Sequence, residues 1–343
     1  MAKNARDEVF GEQRHALVVA NTTLAICAVV VGFLALAWFA APFFWWADVM
    51  TLFQPLYAIP AAVLLLISLA LRLKLVSAAL ALALGSMLVI LLSPPTRVAA
   101  PLLTPSRVVT VATFNVLHQN RRYDDLDRWL RQTRPDIVGL QEVSWNWLGV
   151  LQKLHDVYPY SARIASPELV QQQPHGGIEL LSRYPILSAE VYAPLGADRL
   201  MVSAIVSIEG RPVNVMVLHA DTLRARDAWS LRNLYLKTLG QWLGWGLANE
   251  GRAHTSDRIV VGDLNTTRWS PHFLGFLRAA KLYDADYSLI PQATRILSKP
   301  GRYVFGSPID HVLTSRGVRS MGCVVGADLG SDHRPLTCRL GLP

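Results

Sequence analysis

Between His15 and Asp48 no residue is charged, so residues 16–47 form one unbroken uncharged run. A helix needs about 20 apolar residues to cross about 30 Å of hydrocarbon, and residues 17–41 supply more than that. Residues 50–71 and 75–92 are two further uncharged stretches, separated by Arg72 and Lys74 at a tight turn. The pattern predicts three transmembrane helices in the first third of the chain. A cleaved signal peptide is the alternative for the first span. Its apolar core would be about twice the usual 7–15 residues, and no small-x-small site follows.

The chain is 52% hydrophobic and only 17% charged, against about 25% charged in an average soluble protein. Charge is unevenly spread: residues 107–343 hold 27 Lys or Arg and 21 Asp or Glu, a net +6. The expected organisation is therefore a membrane anchor at 1–93, a linker at 94–106 and a soluble domain at 107–343. Pro94, Pro95, Pro101 and Pro105 make the linker semi-extended, because proline lacks an amide donor and cannot continue a helix. Lys3, Arg6 and Arg14 precede the first span, and Arg72 and Lys74 lie in the second loop. Positive loops stay in the cytoplasm, so three spans place everything after Leu92 outside it, in a multi-pass protein of the plasma (inner) membrane. Phe43, Phe44, Trp45 and Trp46 fit an interfacial aromatic belt or simple core packing. With no charged residue expected inside the spans, they read as an anchor and not as a transport path.

From Arg107 the pattern changes to short apolar strands and amphipathic helices. Strands are expected at 108–116, 136–143, 178–181, 200–208, 213–219, 258–261, 309–313, 323–325 and 336–340, with helices at 123–134, 226–247 and 271–280. Glu209-Gly210-Arg211 reads as a hairpin. This mixture favours an α+β or layered α/β arrangement. Polar residues interrupt the strand ends: Asn115, Gln141-Glu142, His219, Gly262-Asp263-Leu264-Asn265, Asp310-His311 and Ser331-Asp332-His333-Arg334-Pro335. Isolated carboxylates, amides and imidazoles at the ends of hydrophobic strands point to one polar site at a sheet edge.

These segments, together with Thr113-Phe114-Asn115-Val116, Leu181-Ser182-Arg183-Tyr184-Pro185-Ile186, Leu218-His219 and Ile309-Asp310-His311-Val312, resemble the successive motifs of the endonuclease/exonuclease/phosphatase superfamily with the DNase I-like fold. The resemblance covers about 107–343, in the family's order. It implies a four-layer α/β/β/α sandwich and phosphoester cleavage assisted by a divalent metal, Mg²⁺ or Mn²⁺. Glu142 would be a ligand for Mg²⁺, a hard cation that takes one or two carboxylates plus waters and substrate oxygens, with Asn115 beside it and Asp332 as an additional metal-site carboxylate. Asp263 would be the general base for the attacking water, and Asn265 would orient that water or hold a phosphate oxygen. His333 would donate to the phosphate with its ring fixed by Asp310, while His219 contacts phosphate or assists the leaving oxygen. Many nuclease-type members carry an acid two places after the first-strand Asn, where this chain has Leu117. His118 and Asn120 lie nearby and read as loop bystanders. His175-Gly176-Gly177 is either a substrate loop or a turn.

Arg outnumbers Lys 27 to 6, and guanidinium suits bidentate phosphate contacts. Nucleic acid, anionic lipid head groups and small phosphoesters are all compatible, since no dense basic run marks a nucleic-acid surface. Cys27 falls in the first span; Cys323 and Cys338 either pair, as an extracytoplasmic location permits, or stay reduced and buried. The leading reading is a membrane-anchored phosphodiesterase, acting as a nuclease or on a phospholipid head group. Its rivals are a phosphomonoesterase of the same fold and a catalytically silent membrane interaction module.

Overall fold

The structure, a computed structural model, describes residues 2–92, 105–164, 177–195, 200–245, 257–298 and 305–343. The chain divides into two compact units, residues 1–93 and 94–343. Most of the proline-rich stretch, residues 94–104, and His175-Gly176 lie outside the described residues.

The first unit contains α1 (Ala2–Ala40), α2 (Trp45–Thr51), α3 (Gln54–Ala70) and α4 (Lys74–Leu92). Two of its helices, over Val18–Ala40 and Lys74–Leu92, are long and apolar enough to cross a membrane. The expected middle span is instead broken, with α2 and α3 meeting at 78°. Pro55 sits in the first turn of α3, where a residue without an N–H starts a new helix more readily than it continues an old one. At about 1.5 Å per residue α3 alone is roughly 26 Å long, and it runs on through Pro60. Residues 45–51 form a helix instead of a loop, and Asp48 within it is buried, its carbonyl accepting from Thr51 Oγ1 at 2.7 Å. Small residues, Ala28, Ala35, Ala61 and Ala83, pack with Val31, Leu80 and Met87 and let the helix backbones approach closely.

The second unit is built from β1 (Arg107–Asn115), α5 (Tyr123–Thr133), β2 (Ile137–Gln141), α6 (Trp145–Gln152), β3 (Tyr160–Ile164), β4 (Ile178–Ser182), β5 (Ile186–Tyr192), β6 (Met201–Ile208) and β7 (Arg211–His219). It continues with α7 (Arg226–Trp245), β8 (Arg258–Asp263), α8 (Pro271–Ala280), β9 (Tyr283–Asp284), β10 (Arg295–Ser298), β11 (Phe305–Ser307), β12 (Asp310–Thr314), β13 (Arg319–Val325) and β14 (Leu336–Leu342). One six-stranded sheet has the order β13-β14-β1-β2-β4-β3, the other β5-β6-β7-β8-β12-β9, and β10 pairs with β11.

Alternation along each strand explains how the layers form. Val109 and Val111 of β1, Val215 and Val217 of β7, and Ile259 and Val261 of β8 meet in the core between the sheets. Their neighbours face the other way. Ala112 and Phe114 pack with Leu126, Trp129 and Trp147 of α5 and α6, while Met216 and Val260 pack with Leu236 and Leu239 of α7 and Phe273 and Phe276 of α8. The result is a sandwich of two sheets between two helical layers. Gly139 sets the spacing: a Cβ there would lie 2.5 Å from Val261 Cγ2 of the facing sheet.

Local signals place the boundaries. Glu209 and Gly210 both have positive φ, 48° and 86°, the geometry of a two-residue hairpin turn that matches strand twist. Ser270 caps α8 by accepting from His272 N, with Pro271 at the first helical position, so that helix begins where the sequence says it should.

Candidate active site

The alternation that buries the valines also places the polar residues. Asn115 lies on the same face of β1 as Val109 and Val111, His219 on the face of Val215 and Val217, and Asp263 on the face of Ile259 and Val261. Each strand therefore delivers one polar side chain into the inter-sheet space at its end. Register aligns them: Asp263 stands directly between His219 on β7 and Asp310 on β12, and Asn115 is opposite Gln141. His219, Asp263 and Asp310 form one row across the second sheet, facing Asn115 on the first.

Asn115 ties the two sheets together. Its Nδ2 donates to Glu142 Oε1 at 3.0 Å and to Asp263 Oδ2 at 3.1 Å, while its Oδ1 accepts from Leu117 N at 3.0 Å. Asp263 Oδ2 is the convergence point, with His333 Nε2 at 3.6 Å and His219 Nε2 at 3.7 Å. His219 also faces Glu142 Oε1 at 4.0 Å. His333 Nδ1 meets Asp310 Oδ2 at 2.8 Å, and both residues are buried. Asp310 Oδ1 makes no hydrogen bond. Asp310 also lines, with Arg268, Asp284, Thr294 and His311, a small cavity of about 10 Å³.

The loop after β8 is held by backbone constraints. Gly262 has φ 154°, and a Cβ on it would stand 1.9 Å from Leu218 O. Asp263 Oδ1 accepts from Asn265 N at 2.9 Å, an Asx turn, and Asn265 Nδ2 donates to Ala220 O at 2.9 Å. The Asn265 amide nitrogen is thus committed to bracing the turn. Asp332 is set apart from the cluster: its carboxylate lies 3.6 Å from Arg295 Nε, while among the described residues Asp263, Asp310 and His333 form the one group of three acids and imidazoles whose ligand atoms all lie within 4.8 Å of one another.

Electrostatics separate the roles. Burial alone would raise the Glu142 carboxyl, but the His219 charge and hydrogen bonds from His118 and Asn115 outweigh it and hold it down at about 2. Burial alone would lower His333, but Asp310 and Asp263 override it and push the ring up to about 9. Asp263 is raised by burial, with Asp310 adding to the shift and the two imidazoles opposing it. At neutral pH the site therefore presents an ionised Glu142 and a protonated His333, beside an Asp263 carboxyl raised above the usual carboxylate range. The donor set fits a divalent metal at Glu142: a hard cation takes one or two carboxylates and completes its shell with water and phosphate oxygens, and Glu142 is ionised and shares the Asn115 amide with a second carboxylate, Asp263. His333 and Asp310 already satisfy each other, which suits an acid–base pair better than a metal cage.

Two residues escaped sequence reading. His118, taken for a loop bystander, meets Glu142 Oε2 through Nδ1 at 3.0 Å and through its backbone nitrogen at 3.3 Å. Arg232 of α7 is fully buried, and its Nη1 donates to Asn265 O at 3.0 Å. An arginine in the middle of an apolar helical face was the available signal for Arg232. Asn120 has a structural role, donating to Val116 O and Leu329 O.

Several solved structures share this fold. TDP2 of D. rerio, complexed with a single-strand DNA product, is 17% identical over 69% of this chain and 100% of its own, with a TM-score of 0.55. A mannosyl-6-phosphatase of Bacteroides thetaiotaomicron is 18% identical over 68% and 99%, TM-score 0.53. Sphingomyelinase C from Streptomyces griseocarneus is 18% identical over 69% and 100%, TM-score 0.50. No curated protein sequence matches. The family model described as "Endonuclease/Exonuclease/phosphatase family" matches residues 112–333, a span that runs from β1 to His333 and includes every side chain of the cluster; the chain belongs to that family and is a phosphoester hydrolase.

Proposed function

We propose that the protein is a membrane-anchored phosphodiesterase that depends on a divalent cation, Mg²⁺ or Mn²⁺, held at Glu142 with Asn115 beside it and Asp332 further out. The observation that carries the reading is the position of Asp263 Oδ2, within reach of Asn115, His219 and His333 at once. A phosphodiester is an anion, and a bound cation supplies the charge neutralisation that lets a nucleophile approach it. Asp263, raised by burial, accepts the proton of the attacking water. Asn115 fixes its orientation, and Asn265 with Arg232 fixes the turn that carries it. His333, kept protonated by Asp310, donates to a phosphate oxygen, and His219 faces the same space from the opposite side of Asp263, where it assists the leaving oxygen.

The substrate is a phosphodiester in nucleic acid or in a phospholipid head group. Similar solved structures include one with a DNA product, a sugar phosphatase and a sphingomyelinase, so the fold does not choose among them. Residues 1–93 act as a multi-pass anchor in the plasma membrane, with α2 and α3 together forming the middle span. The catalytic unit, residues 107–343 following the linker at 94–106, lies outside the cytoplasm. The disulfide between Cys323 and Cys338 supports that side, because such bonds persist in oxidising compartments.

The test is hydrolysis by the detergent-solubilised full chain of DNA, RNA, phospholipids and phosphomonoesters, with Mg²⁺, with Mn²⁺ and with chelator. Diester cleavage that needs metal and falls at least 10²-fold in Asp263→Ala and His333→Ala is the expected result. Turnover that is unchanged in both variants removes this mechanism, and cleavage of monoesters alone replaces it with a phosphatase.

A further inference from the structure

Glu142 presents two oxygens to different surroundings. Oε1 accepts from Asn115 and faces His219 and the reacting centre, whereas Oε2 meets the His118 backbone nitrogen and ring Nδ1. The backbone at this contact is unusual: Leu117 has φ 60° and Glu142 φ 57°. Left-handed conformations cost non-glycine residues roughly 1 kcal/mol or more and persist where the surroundings over-determine them. Here two such residues turn the chain so that the His118 ring, not the Leu117 side chain, stands against the carboxylate. The His118 backbone N–H and the Asn115 amide brace Glu142 from either side, one on each oxygen, so the carboxylate keeps a donor on both oxygens when the ring exchanges its own proton for an ion. Its Nδ1 lies 3.0 Å from Oε2. That is the separation of adjacent ligands on an octahedral ion with bonds of about 2.1 Å, and a neutral ring with its proton on Nε2 offers a lone pair at Nδ1. Both side chains are about seven-eighths buried, 14% and 13% exposed, so each keeps some access to solvent.

We infer that His118 is a nitrogen ligand of the divalent metal at Glu142, a reading that rests on the metal assigned there under the proposed function. The site then combines one imidazole with carboxylate oxygen. Imidazole favours first-row transition ions, whereas Mg²⁺ prefers an all-oxygen set, so the protein selects Mn²⁺ over Mg²⁺. His219 is the contrasting case: at 4.0 Å from Oε1 and 3.7 Å from Asp263 it stands between the two carboxylates, where the proposed function places it at the leaving oxygen.

The experiment uses the full chain in detergent with Mn²⁺ as the probe, read by direct binding titration and by pulsed EPR of the bound ion. The unmutated protein is expected to show ¹⁴N coupling to Mn²⁺ that changes to ¹⁵N coupling when histidine is ¹⁵N-labelled. His118→Ala abolishes the coupling, weakens Mn²⁺ binding about 10-fold or more and narrows the preference for Mn²⁺ over Mg²⁺. His219→Asn retains the coupling. If His118→Ala does not keep the melting transition of the unmutated chain, His118→Gln carries the same test with the side chain's bulk preserved. Mn²⁺ bound without nitrogen coupling, or coupling that survives loss of His118, overturns this inference and leaves the metal-dependent function standing. No Mn²⁺ or Mg²⁺ binding by the unmutated chain overturns both.

Discussion

Replacing Asp310 by Asn tests the charge logic of the site with almost no change in shape. Asp310 Oδ2 lies 2.8 Å from His333 Nδ1, and it leads the groups that overcome burial and raise the ring from its ordinary 6.5 to about 9. A displacement of this size corresponds to roughly 3 kcal/mol of preference for the imidazolium, at about 1.36 kcal/mol per pH unit. With a midpoint near 9 the ring is about 97% protonated at pH 7.5; with the midpoint returned to 6.5 it is about 9% protonated. Protonation alone therefore costs Asp310→Asn about 10-fold in kcat/KM at pH 7.5. Loss of ring orientation adds to this, within the 10²–10⁴-fold that a positioned proton donor contributes. The measurement is the pH dependence of kcat/KM for the full chain in detergent. The unmutated enzyme should lose activity as pH rises through about 9, and the variant should lose it below 7, its deficit shrinking toward lower pH. An alkaline limb that stays near 9 in Asp310→Asn, whatever the overall rate, would refute the assignment of His333 as the proton donor.

Gly262→Ala should destabilise the second unit by more than about 3 kcal/mol and abolish activity, because its Cβ would stand 1.9 Å from Leu218 O at a φ of 154° and several strain and overpacking terms add; a melt within a degree of the unmutated chain contradicts the geometry. Reducing Cys323–Cys338, 15 residues apart, should cost about 3 kcal/mol and lower the melting temperature by roughly 6–12 °C. Thiol titration of denatured, unreduced protein should find Cys27 alone reactive, and three reactive thiols would exclude the bond. Glu142 is held from its ordinary 4.5 down to about 2, so its ionised form contributes up to about 3 kcal/mol of stability. That contribution is present above about pH 4.5 and lost as pH falls through 2. In metal-free protein, the stability gap between the unmutated chain and Glu142→Gln should therefore close over that interval on denaturant melts, and a gap independent of pH would show that Glu142 is not held ionised.

The sequence by itself determined the strands and helices that carry the site. β1, β7 and β8 are largely apolar runs that end in a polar side chain and β12 begins with one, and a period of two fixes which face that side chain occupies before any partner strand is known. Ser270-Pro271 and Glu209-Gly210 mark a helix start and a hairpin through purely local chemistry. Other elements are invisible in the same terms. β5, exposed along most of its length, has no apolar alternation to betray it, and the break between α2 and α3 lies inside an uninterrupted apolar stretch where only Pro55 signals a new start.

What the tertiary structure decided is which polar residues meet, because that depends on sheet order and on the facing of two sheets, not on spacing along the chain. Asn115 reaches Asp263 across 148 residues of sequence, and Arg232 reaches the Asn265 carbonyl from a helix on the outer layer. Asp332, next in sequence to His333, turns to Arg295 instead of joining it. His118, three positions past β1, is brought against Glu142 by a left-handed residue that no periodicity announces. Local patterning sets where a side chain points; only the packing of β1 over β8, at a distance that Gly139 permits, sets what it points at.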